Sequence, residues 1–196
     1  MKNYKNLLGF IALVAIVAAI FAPATYASKK KDNAKKAQIE ELLTDGNKYF
    51  SEGNYVNAAK CFEEVQKKGD VRGMHNLALC YAEGKGVIQD YKKAMKLYEK
   101  AAKKGYIESQ IELADMHMQG FGTKKDFKKA IKWLEKAAKQ AAVNPGSASD
   151  AMYLIATCYY YGGNGVKKDL VKAKEWMQKS AALGNESAIN NLPKLQ

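Results

Sequence analysis

The sequence predicts an all-α fold: an α/α superhelical solenoid of about four helix-turn-helix repeats followed by a terminal capping helix. Three observations carry this. The stretch from Gly69 to Lys104 lands on itself when shifted by 36 positions, so that Gly84 and Gly86 meet Gly120 and Gly122, Asp90 meets Asp126, Ala94 meets Ala130 and Leu97 meets Trp133. A further copy, marked by Asp169, Ala173 and Trp176, lies another 43 residues on. A fixed period of this length means stacked units that bury their apolar faces on one another. Within each copy the apolar residues take helical spacing twice: Leu77, Ala78 and Tyr81 in a first helix, helix A, and Ala94, Leu97, Tyr98, Ala101 and Ala102 in a second, helix B. Between the two stands Gly-x-Gly, which lets the chain reverse, and then an aspartate placed to cap helix B.

The elements follow in chain order. Residues 1–27 read as a secretory signal: Lys2 and Lys5, an uncharged apolar run from Leu7 to Ala22, Pro23, and small residues before candidate cleavage points after Ala24 or Ala27. The rival reading is an uncleaved anchor, although the run is short for a bilayer span. Residues 28–36, SKKKDNAKK, form a basic linker expected to be mobile. Residues 37–68 make a unit of a slightly different kind, in which Asn54 takes the cap place and Gly-x-Gly is missing. Three closer copies follow over 69–104, 105–148 and 149–183, and residues 184–196 form the cap, with Pro193 stopping its helix. Helix pairs are expected near 37–51 and 55–68, 70–83 and 91–104, 106–119 and 127–141, then 149–161 and 170–183. The third unit carries an insertion, Lys139 to Ala151, whose Asn144-Pro145-Gly146 reads as a turn that breaks the helix. The fourth has an extra glycine, Gly162-Gly163-Asn164-Gly165.

Composition narrows the function classes. The formal net charge is +12, nearly all from lysine, with Arg72 the single arginine. Base and phosphate recognition leans on the planar guanidinium fork, so no nucleic-acid partner is expected. The lysines crowd helix B, as at Lys92, Lys93, Lys96 and Lys100, where they read as a solvated face favoured near helix ends. Cys80 and Cys158 take the same place in two copies of helix A and read as buried thiols. His117 takes the place of Tyr49, Tyr81 and Tyr159 and reads as packing. No Cys/His set has zinc spacing, no serine sits in a nucleophile elbow, and the Gly-x-Gly loops follow no strand. The aspartates at 90, 126 and 169 lie a whole repeat apart and read as caps, not a catalytic set. No catalytic residues, metal or cofactor are therefore expected.

The recurring Leu77-Ala78, Tyr81, Gly84-Lys85-Gly86-Val87, Asp90, Lys93-Ala94, Lys100-Ala101-Ala102 and Gly105 resemble the Sel-one-like repeat, a relative of the tetratricopeptide repeat. Gly46-Asn47, Tyr49, Gly53-Asn54-Tyr55, Ala58 and Phe62 resemble the tetratricopeptide repeat itself. A cysteine-rich branch of the former bridges the two helices of each unit, and this chain has no cysteine in helix B of its Sel-type units. The resemblance implies a protein-binding scaffold with helix A lining a concave groove and helix B forming the convex face. With Leu77, Leu113 and Ile155 facing the core, residues two before and two after them are expected in the groove: His75 and Leu79, Ile111 and Asp115, Tyr153 and Thr157, with Met118 and Tyr160 a turn on and Asn47 in the first unit. The expected function is an exported scaffold, secreted or periplasmic after cleavage, that holds a protein or peptide partner in this groove. The alternative is an envelope-associated structural protein docked on anionic surfaces by its lysine-rich convex face. Less favoured is a cell-wall-acting hydrolase. Membrane contact is expected only through an uncleaved signal segment or the basic face.

Overall fold

The computed structural model of the chain describes the backbone of residues 2–195 and the side chains of residues 26–195. All but the last two residues of the expected signal segment, 1–27, lie outside the described side chains. Among the described residues no helix is long and apolar enough to cross a membrane. The chain divides into two units, Met1–Leu42 and Leu43–Gln196. The first is helical and belongs to α1 (Lys2–Ser51). Residues 28–36, expected as a mobile linker, are exposed helix instead. They hold several lysines and an alanine and neither glycine nor proline, so local propensity supports the helix.

The second unit takes in the last turns of α1, then α2 (Tyr55–Lys67), α3 (Val71–Glu83), α4 (Tyr91–Lys103), α5 (Ile107–Gln119), α6 (Phe127–Ala138), α7 (Pro145–Tyr161), α8 (Leu170–Ala182) and α9 (Glu186–Asn191). A 3-10 helix over Leu192–Leu195 follows. From α2 onward each helix packs on the next in chain order, as a helix-turn-helix array requires. The only extended pairing among the described residues is an isolated bridge between Gly163 and Val166. The fold is the all-α solenoid that the period predicts.

Two small-residue registers bring the helices together. Ala58, Ala94, Ala130 and Ala173 of the B helices and Ala78, Ala114 and Ala156 of the A helices are all 0% exposed. One turn beyond each B-helix alanine stands a larger buried side chain, Phe62, Tyr98, Leu134 or Met177, and Tyr98 shares a core cluster with Leu113 and Leu134 one with Ile155. Small and large residues thus alternate across the contact and fill it. Cys80 and Cys158 share their register with Met116, and all three are buried, which identifies a packing position. His117 is buried in the tyrosine place, as expected.

Each B helix starts at a cap. The carboxylate oxygens of Asp90, Asp126 and Asp169 accept from the backbone N–H of Lys93, Lys129 and Lys172 at 2.9–3.0 Å. Asn54 does the same for α2. Donation from these N–H groups, with lysine charge nearby, holds the three aspartates below the usual carboxylate range. The expected break at Asn144-Pro145-Gly146 is in fact a helix start. Asn144 caps α7 by accepting from Ser147 N–H at 3.1 Å, and Pro145 occupies the first turn, where its missing N–H has no partner to lose. Helix α7 therefore begins four residues before the expected 149.

Candidate functional site

Side chains reach from one A helix to the next along one face of the second unit. Asn76 Nδ2 of α3 donates to Asn47 Oδ1 of α1 at 3.4 Å. His75 Nδ1 of α3 lies 3.0 Å from Ser109 Oγ of α5. Going round α3, the arc of Gly73, Met74, Leu77, Ala78 and Cys80 is buried, which leaves Asn76, Leu79 and Glu83 on the open side. The matching places on α5 are Glu112, Asp115 and Gln119, and on α7 Leu154, Thr157 and Tyr161.

The expected groove residues fall into three groups. Tyr153, Thr157 and Tyr160 come together in one cavity of about 280 Å³, with Tyr161, Met177, Asn191, Lys194 and Leu195 completing its wall. Its aromatic side is firm. Tyr160 and Tyr161 meet edge to face with centroids 5.0 Å apart, and Thr157 Oγ1 donates back to the Leu154 carbonyl at 2.8 Å. Its polar side comes from the terminal segment: Asn191 Nδ2 donates to Tyr153 Oη at 3.3 Å and Lys194 Nζ to Asn191 Oδ1 at 2.8 Å. Tyr153 also packs beside Ala156, Met177 and Ala188, so it serves the terminal packing and the cavity at once.

Asn47 is exposed, and Leu79 and Asp115 are half-buried along the open side. Asp115 accepts from Gln119 Nε2 at 3.3 Å. His75, Ile111 and Met118 are turned inward. The His75 ring lies 5.4 Å from the ring of Tyr98 and 5.3 Å from that of Tyr106, and burial pushes its pKa down to about 4. Ile111 and Met118 pack on the core between α5, α6 and α7. Six residues off the expected set occupy the open side: Asn76, Glu83, Glu112, Gln119, Leu154 and Tyr161. The signal for Asn76 and Glu112 lies in the sequence, one position before Leu77 and Leu113, a quarter-turn of helix from the core. Glu112 keeps solvent contact, yet enough protein surrounds it that desolvation raises its pKa, with repulsion from Asp115 and Glu83 adding to the shift. The open side is thus acidic at its middle and aromatic at its C-terminal end.

Two buried polar atoms have no hydrogen-bond partner among the described residues: Tyr98 Oη and His117 Nδ1. No cluster of metal-ligating side chains occurs among the described residues.

This geometry defines a helix-turn-helix repeat scaffold whose A helices share an open face. The Sel1 repeat family matches at residues 71–106, 107–141 and 149–185, and the chain belongs to that family. Among solved structures it is similar to a protective antigen present in uropathogenic Escherichia coli strains that displays an SLR fold, with a TM-score of 0.71 and 30% identity over 83% of this chain and 34% of that one. It is also similar to a Sel1 repeat protein from Oxalobacter formigenes, with a TM-score of 0.64 and 32% identity over 76% of this chain and 58% of the other. The chain thus spans only part of the length of either protein. No match is found among curated proteins. No catalytic family is indicated.

Proposed function

We propose that the protein is an exported interaction scaffold whose open A-helix face holds an extended segment of a protein partner. The observation that carries this reading is the cavity in which Tyr153, Thr157 and Tyr160 of one helix A meet the terminal segment. Two tyrosines at its mouth, Tyr160 and Tyr161, remain 36% and 74% exposed, which is aromatic surface of the kind that anchors a partner side chain. The acidic middle formed by Glu112 and Asp115, with Glu83 paired to Lys85 beside it, favours a partner that brings a basic residue there, because a cation relieves the repulsion that adds to the effect of burial on Glu112. The paired amides of Asn47 and Asn76 at the other end supply donors and acceptors for a peptide backbone. The last turns of α1, which carry the tetratricopeptide-like Gly46-Asn47 and Tyr49, extend the same face. The tripartite Met1–Ala27 segment supports export to the periplasm or the medium, with a mature chain beginning near Ser28, and mass spectrometry of the exported protein checks that start.

Site-specific photocrosslinking from position 161 tests the groove. Partner capture is expected in the parent protein and lost in the double variant Asn47→Ala, Tyr160→Ala, with thermal unfolding nearly unchanged. Capture that survives both substitutions moves the site to the lysine-rich convex face.

A further inference from the structure

The Gly-x-Gly loops of the second and third units sit tightly on the unit before them. A Cβ at Gly86 would overlap the Tyr55 carbonyl, and one at Gly122 would lie 2.8 Å from the Tyr91 carbonyl oxygen, so each loop closes against the first residue of the preceding B helix. The fourth unit departs from this. Its loop is one glycine longer, and the chain turns back on itself as a small hairpin. Gly163 N–H donates to Val166 O at 2.7 Å, and Val166 N–H to Gly163 O at 3.1 Å. The hairpin is pinned to α6 by Phe127 N–H donating to Asn164 O at 3.0 Å. A Cβ at Gly165 would come no nearer to α6 than 3.8 Å, from Lys128 Cβ. The space left between α6, the hairpin and the start of α8 is a cleft of about 550 Å³.

Five lysines line it: Lys128 and Lys132 from α6, Lys167 and Lys168 from the loop, and Lys172 from α8. Two acids share the lining, Glu135 and Asp169. Asp169 is already engaged, since it caps α8 and pairs with Lys172 Nζ at 3.3 Å. Lys172 and Lys168 rest over the rings of Tyr159 and Tyr160. Among the described residues Lys128, Lys132 and Lys167 have no carboxylate within ion-pair distance. Three lysines without a carboxylate partner, from two elements, therefore line one open cleft. Lys92 and Lys96 of α4, equally exposed, lie outside this cleft. Lysine binds phosphate as a point charge with three donors, and gathering several ammonium groups without counter-ions leaves repulsion that a polyanion relieves.

We propose that this cleft is a binding site for an anion carrying two or more phosphate groups. A single phosphate fills little of the volume and meets few of the lysines, whereas a linear oligophosphate spans from the α6 pair to the loop pair. The cleft shares no lining residue with the tyrosine cavity and meets it only through Lys168, which rests over Tyr160, so the variants that test it avoid both residues.

The test uses tripolyphosphate as the probe, followed by calorimetry and by amide shifts in the full chain. Saturable binding is expected, with the largest shifts at Gly163, Asn164 and Gly165. The double variant Lys132→Gln, Lys167→Gln is expected to weaken binding about tenfold. The charge-matched pair Lys92→Gln, Lys96→Gln is expected to leave it unchanged. All four lysines are exposed, so the fold survives both changes, and circular dichroism checks that it does. Equal weakening by the two pairs, or shifts spread over α4 and α6 alike, overturns the proposal in favour of diffuse charge. Vesicles containing cardiolipin, whose headgroup carries two phosphates, separate the sources of phosphate. Release of vesicle-bound protein by tripolyphosphate assigns the cleft to lipid headgroups, and tripolyphosphate binding without vesicle binding assigns it to a free oligophosphate. Absence of saturable tripolyphosphate binding overturns the proposal, whether or not vesicles bind.

Discussion

His75 is neutral in the folded chain because Tyr98, Tyr106 and Ser109 surround it and burial lowers its pKa to about 4. The unfolded chain takes up a proton near the ordinary value of 6.5, and the folded chain does not. The stability that this neutral histidine permits is therefore complete above that value and is lost as pH falls toward about 4. Urea unfolding is expected to show about 1–2 kcal/mol less stability at about pH 5 than at about pH 7, with His75→Gln flattening that slope. Glu112 works in the opposite sense. Its raised pKa favours the folded state at low pH, an advantage lost as pH rises through and just above the usual carboxylate range, so the substitution is what isolates the histidine. The capping aspartates, whose pKa values are depressed, hold their contribution down to lower pH and lose it only as pH falls below the usual carboxylate range. For Asp126→Ala the expected loss is about 1 kcal/mol, from the unmet Lys129 N–H at the start of α6 and not from the exposed contact with the Lys129 side chain. Lost partner capture at unchanged stability would instead mark Asp126 as a contact residue.

The loops set how one element meets the next, and Gly122 shows how. Its φ is +72°, and a Cβ there would stand 2.8 Å from the Tyr91 carbonyl oxygen, so backbone conformation and close approach both require glycine. Gly105, between α4 and α5, has φ +91° but nothing within 4 Å. Gly105→Ala is expected to cost about 1 kcal/mol from conformation alone, and Gly122→Ala about 2–4 kcal/mol, as the loop must lift off α4. Chemical denaturation of the two variants separates the terms, and equal losses would remove the packing role. Most of this was legible. The period, the Gly-x-Gly spacing and the aspartates placed α4 as Tyr91–Lys103 against an expected 91–104. What was hidden depended on context that a single helix does not carry. Pro145 reads as a breaker until Asn144 is seen to cap the helix it begins. His75 satisfies the spacing for an open face, but Tyr98 of the next helix, with Tyr106 and Ser109 beyond it, covers it. Asn76 and Glu112 lie toward the open side because the buried arc centres between Leu77 and Ala78 and not on the leucine alone. The basic cleft needs the hairpin that the fourth glycine permits, and an extra glycine does not announce which way a loop turns.

In the repeat array as a whole each unit is stabilised by the face that the next one covers, so the last unit depends on α9 and the 3-10 turn. Ala188 is fully buried against Ala156 and Met177, with Leu192 and Leu195 packed beside them. Asn185 Nδ2 ties the same segment to Asp150 Oδ1 of α7 at 2.8 Å. The segment also builds the groove, because Asn191, Lys194 and Leu195 close the tyrosine cavity. Removing residues 184–196 is therefore expected to expose Met177 and Ala156 and to cost about 2–4 kcal/mol, with loss of helix concentrated in α7 and α8. Units joined mainly to their neighbours unravel from the uncovered end, so hydrogen exchange should rise first in α7 and α8 while α3 to α5 stay protected. Uniform loss of protection along the array would show that the second unit folds all or none and that α9 is not an end cover. The cavity requires a milder change, since unfolding α7 would abolish capture for a trivial reason. Lys194→Ala leaves Ala188, Leu192 and Leu195 in place and removes only the ammonium group that donates to Asn191. Its expected effect is weaker partner capture at unchanged thermal stability, measured beside the truncation. If the truncation alone weakens capture, the terminal segment supports the groove from behind and does not line it.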